Sequence, residues 1–150
     1  MCKITARDVA EYFLCLADKE SGDLISNLKL QKLVYYAQGT QLAVTGKPLF
    51  DDEIVAWVHG PVIESLYHAY KAYGDGAIEP TCDYDIPQFN QDTKQLLDEV
   101  YRILGQYSAW KLREMTHSET PWVNAARKGQ GSVITHQDMM EYFKPYVKVE

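Results

Sequence analysis

Start and stop signals for helices recur along this chain and divide it into a succession of short helical segments. Thr5 can cap a first helix, with Asp8 three positions on to return the bond. Val9, Tyr12, Phe13 and Leu16 then follow at i, i+3, i+4 and i+7, which makes one apolar stripe. Ser21-Gly22-Asp23 is expected to end it. A second helix begins near Ser26 or Asn27, with Leu30, Leu33, Val34, Ala37 and Val44 as its inward stripe. Gly46 and Pro48 then supply a left-handed stop followed by a residue that cannot continue a helix. Tyr35 and Tyr36 are adjacent and so about 100° apart on such a helix, and at least one should flank the stripe.

The period changes at Glu53–Val58, where β-branched and aromatic residues predict a strand. Neither of its faces is polar, so it should be covered on both sides. Gly60-Pro61 reads as the opening of a third helix with proline at its first position, carrying Ile63, Leu66, Tyr67 and Tyr70 inward and stopping at Gly74. The stretch 74–89, with Pro80 and Pro87, reads as a loop. Asn90 can cap a helix bearing Leu97, Val100, Tyr101 and Leu104 that ends at Gly105, and Ser108 can cap a shorter one. Thr120, Pro121 and Gly129 bracket another helix as cap, first position and left-handed stop. Val133-Ile134 is a candidate short strand, and Thr135 with Asp138 starts a last helix that should stop near Lys144, ahead of Pro145. The class expected is α+β, predominantly α. It is a compact bundle of about six to seven helices around a strand near 53–58, with 132–135 as the segment to pair with it.

With 150 residues and no linker or repeat, the chain is expected to form a single domain, 1–150. A formal charge of −6 and a pI near 5.2 weigh against phosphate contact, so nucleic acid is an unlikely partner. Lys29, Lys32 and Lys47 are the nearest thing to a basic patch, and they read more simply as a solvated helix face. Cys2, Cys15 and Cys82 are odd in number and far apart, which fits reduced thiols. The first residues lack the apolar stretch of a signal peptide, and no apolar run approaches the roughly 20 residues of a membrane span, so a cytoplasmic location is expected.

Few residues are arranged for chemistry. Gly129-Gln130-Gly131 lacks the remainder of a nucleotide-binding loop, and there is no Gly-x-Ser-x-Gly elbow. His59, at the strand end, and His117, at a helix end, occupy places that suit a site, a cap or a partner contact equally well. Asp51, Asp52 and Glu53 alternate in direction at a strand entry and do not converge on a metal without help. No cofactor is implied. Eleven tyrosines and three tryptophans exceed what one small core needs, and such residues are enriched at protein interfaces. Tyr73, Tyr84, Tyr107 and one of Tyr35 or Tyr36 fall outside the stripes.

Four blocks carry a resemblance. Lys29 through Gln38 (KLQKLVYYAQ), Gly46 through Phe50 (GKPLF), Ala56 through Val62 (AWVHGPV), and Thr116-His117 followed by Pro121-Trp122 together resemble the Panacea domain of the SocA-like antitoxins of phages and mobile elements. The likeness runs from about Thr5 to Phe143, and little of the chain lies outside it. It implies an antitoxin that binds its cognate toxin directly, and the SocA-like pattern further implies an adaptor to a Clp-type protease. Lys29, Lys32, Tyr35, Tyr36, Gln38, His59 and His117 are the candidate partner contacts. Two other readings remain: a DNA-binding regulator built on a winged-helix-like arrangement, and a metal-dependent enzyme using His59, His117 and the Asp51–Glu53 acids.

Overall fold

A computed structural model describes residues 3–17, 24–81 and 83–147. In chain order the elements are α1 (Ala6–Leu16), α2 (Asn27–Thr45), β1 (Val55–Trp57), β2 (Gly60–Val62), α3 (Glu64–Ala69), α4 (Gln91–Leu104), α5 (Ala109–His117), α6 (Thr120–Lys128) and α7 (His136–Phe143). Short 3₁₀ turns follow α3 at Lys71–Tyr73 and α7 at Lys144–Tyr146. The predominantly helical α+β class is as expected.

The helix ends explain themselves locally. Thr5 and Asp8 form the reciprocal cap of α1. Ser26, Asn90, Ser108 and Thr135 each accept a bond from the backbone N–H three residues on, at 2.8–3.2 Å. Gly46 ends α2 in the left-handed conformation, φ 77°. α6 departs from expectation: its cap position is Glu119, which makes no side-chain cap bond, and Thr120 and Pro121 are already helical. Gly129 after it has φ 127° and ψ 164°, a positive-φ conformation away from the expected αL stop. Helix α1 ends at Leu16, and the stop expected at Ser21-Gly22-Asp23 lies outside the described residues.

The largest correction concerns Gly60-Pro61. These residues begin β2, the return strand of a hairpin with β1 (Trp57↔Gly60, Ala56↔Pro61, Val55↔Val62), and α3 starts only at Glu64. Val58 and His59 form the two-residue loop, so the expected strand shrinks to Val55–Trp57 and Val58 is exposed. The other edge of β1 is filled by 131–134: Ala56 donates to Ser132 O and accepts from Gly131 N, Ile134 N donates to Ile54 O, and Val55 bridges Val133. Because Ala56 directs both backbone groups to that side, its pairing with Pro61 requires no N–H from the proline.

Helix α2 lies at the centre, packed against α1, α3, α4, α5, α7 and β2. It is buried on nearly every side from Leu30 to Gly39, so the single stripe expected for it understates its burial; Val44, placed in that stripe, is exposed. Tyr35 and Tyr36 are both buried, with ring centroids 5.1 Å apart. Gly39 permits the closest approach, since a Cβ there would fall 2.2 Å from the Phe143 ring of α7.

Candidate functional site

Being surrounded, α2 carries polar side chains into the interior, and each must find a partner there. Gln31 and Gln38, two turns apart, face the same side. Gln38 donates to Phe50 O (2.9 Å) and accepts from Leu49 N (2.7 Å), while Gln31 accepts from Ile63 N (2.8 Å) and donates to Asn27 Oδ1 (3.0 Å). Between them the glutamines clamp the backbone on both flanks of the hairpin. Lys32, fully buried, donates to Pro61 O (3.3 Å), and Lys29 donates to Gly105 O (2.6 Å). Burial, followed by the Arg113 charge, brings the Lys32 amine down to about 7. Gly60 has φ 113°, and a Cβ on it would lie 2.8 Å from Lys32 Cε and 2.9 Å from Thr116 Oγ1. Only glycine suits both the conformation and the approach.

Further along α2 the two tyrosines share one carboxylate. Tyr36 donates to Glu119 Oε2 (2.7 Å) and Tyr35 to Glu119 Oε1 (3.1 Å). Phe143 stands edge-on to both rings, with centroids 5.7 Å away. Burial pushes Glu119 up to about 7, against the pull of the two phenols, and burial with the Glu119 charge holds both phenols far above their ordinary range. This carboxylate is engaged by α2, which explains why it does not cap α6. Glu119 escaped the sequence reading, because the phenols that engage it lie 83 and 84 residues away in the chain.

His117 is bonded through both ring nitrogens, Nδ1 to Arg113 O (2.6 Å) and Nε2 to Val58 O (2.5 Å), and its ring lies 4.2 Å from that of Trp122. The Trp122 indole donates to Trp57 O (2.9 Å). Both side chains thus fasten the end of β1 to α5 and α6. His59 is exposed at the hairpin tip. The acids are separately engaged: Asp51 pairs with Lys3 (3.1 Å), while Asp52 accepts from Ala6 N (3.1 Å) and Ser65 Oγ (2.9 Å). Among the described residues, no group of three or more His, Cys, Asp or Glu is placed to hold a metal ion. Of the surplus tyrosines, Tyr84 donates to Asp8 (2.5 Å) beneath the Arg7 guanidinium, Tyr107 packs on the core, and Tyr73 is exposed.

The candidate contacts therefore divide. Lys29, Lys32, Tyr35, Tyr36 and Gln38 are buried, His117 is half-buried, and His59 is the exposed one. What the surface offers instead is an open groove of about 1140 Å³ between the C-terminal half of α2, α4, and α7 with the turn after it. Tyr36 and Glu119 reach it, and its apolar lining includes Val44, Val100, Ile103 and Phe143. No helix among the described residues is long and apolar enough to cross a membrane.

A central polar-bearing helix that fastens a hairpin, ringed by short helices, defines the class of scaffold. The family described as Antitoxin SocA-like, Panacea domain matches residues 30–123, from α2 into α6. Antitoxin SocA of Caulobacter vibrioides (strain NA1000 / CB15N) is 35% identical over 132 residues, covering 79% of this chain and 69% of that protein. No solved structure matches. The chain belongs to the SocA-like Panacea family.

Proposed function

We propose that this protein is an antitoxin, a binding module without catalysis of its own that neutralises a cognate toxin protein by direct contact in the cytoplasm. The observation that carries this reading is the 35% identity to Antitoxin SocA across 132 residues. The disposition of the polar residues supports it. Lys29, Gln31, Lys32, Gln38 and His117 of the shared blocks serve the interior, while the hairpin tip with His59 and a groove reached by Tyr36 face the surface. Lys29, Lys32, Tyr35, Gln38 and His117 contribute to partner binding by holding these features in place.

Co-expression with the product of the adjacent reading frame is the test. Rescue of growth together with co-purification is expected, and failure of both overturns the reading. Delivery of the bound toxin to a Clp-type protease belongs to the same proposal. The toxin's half-life should then shorten only when antitoxin and protease are both present.

A further inference from the structure

The groove combines an apolar floor with acidic surroundings. Its lining includes Asp92, Glu99 and Glu119 and, among the described residues, contains no Lys, Arg or His. Next to it, across Tyr142 and Tyr146, the surface adds Asp138 and Glu141. Glu99, in the groove's lining, is hydrogen-bonded to Arg102. Its walls are helical ridges: Tyr36, Thr40 and Val44 recur every four residues on α2, and Leu96, Val100 and Ile103 at i, i+4, i+7 on α4. Val44 (38%), Ile103 (42%) and Tyr146 (73%) expose apolar surface toward one opening, where water gains nothing from them. Parallel ridges with an apolar valley between them are the surface into which an amphipathic helix lays its own apolar face.

Charge selects among occupants. An acidic rim on a chain of formal charge −6 repels nucleic acid and anionic lipid, and attracts Lys and Arg. Glu119 sits at the floor, 5% exposed, with both oxygens already oriented by Tyr35 and Tyr36. A cation that reaches it would meet a carboxylate held in place in a partly desolvated site, the setting in which a single charged contact contributes most.

We propose that the groove between α2, α4 and α7 seats a basic amphipathic helix of the protein partner, apolar face inward, with one Lys or Arg directed to Glu119. This rests on the reading of the protein as a toxin-binding antitoxin and names the surface that does the binding.

The experiment measures the affinity of the purified product of the adjacent reading frame for four forms of the full chain by calorimetry. These are the wild type, the double variant Val44→Lys with Ile103→Lys, Glu119→Gln, and Leu24→Lys. The first two substitutions lie on exposed residues and should leave the fold intact, to be checked by circular dichroism. The double variant should weaken binding at least tenfold and Glu119→Gln severalfold. Leu24→Lys, exposed before the opposite end of α2, should stay within twofold, and wild-type affinity should fall as salt is raised. Equal affinity of wild type and double variant overturns the groove while leaving toxin binding intact. Absence of binding by the wild type overturns both. Self-association of the protein alone that the double variant abolishes would place a second copy in the groove and also overturn the proposal.

Discussion

Two sets of buried polar residues on α2 differ in what they meet. Gln31, Lys32 and Gln38 meet backbone groups of the hairpin and its flanks, and these bonds tie down a segment that has little regular structure of its own. Toward the groove, Tyr35 and Tyr36 meet a side chain, Glu119, and the surface beyond them stays open. Recognisable sequence blocks therefore cluster where the fold needs unusual support, since a two-residue hairpin loop and a three-residue strand cannot hold themselves. A surface that receives a partner needs only shape, apolar area and charge, which many sequences supply.

Substitutions on the hairpin side should cost most. Gly60→Ala forces a Cβ into the Lys32–Thr116 contact at φ 113°, and should lower stability by about 3–5 kcal/mol in chemical denaturation. A loss under 1 kcal/mol would break the view that this corner depends on close approach. Gln38→Ala strands Leu49 N–H and Phe50 C=O and should cost about 2–3 kcal/mol, with the two-state slope unchanged.

The two buried ionisable groups sharpen the contrast, because their signs are opposite. Lys32 falls from 10.5 to about 7 on folding, so its contribution is complete above 10.5 and is lost as pH drops toward 7. Wild-type stability should rise between pH 7 and 10 by at most roughly 1.4 kcal/mol per unit from this group, and Lys32→Met should remove the rise. Glu119 climbs from 4.5 to about 7, so its contribution is complete below 4.5 and disappears as pH rises through 7; Glu119→Gln should flatten that limb. A denaturation series in pH checks both. The smallest effect belongs to the groove surface, where Val44→Lys and Ile103→Lys should each change stability by less than about 0.5 kcal/mol.

How much was legible follows from the range of the interactions. The caps at Thr5, Ser26, Asn90, Ser108 and Thr135 were readable because each bond closes within three residues. Gly60-Pro61 was not, since glycine before proline suits a helix start and a hairpin return equally, and the choice rests on β1 and on Lys32 beneath it. Of the paired tyrosines, the spacing predicts that at least one flanks the stripe. Both are inside because neighbours surround α2, which no periodicity along its own length reveals. Glu119 was invisible for the same reason, its phenol partners being 83 and 84 residues away.

The sequence by itself determined where most helices begin and end, the predominantly helical class, and the family through its four blocks. These depend on bonds within one turn or on residue identity alone. Only the tertiary structure decided that α2 is central, that its polar residues hold a hairpin, and that an acidic apolar groove opens beside its C-terminal half. Burial and long-range pairing arise from which elements meet, and a linear pattern carries no record of its neighbours in space.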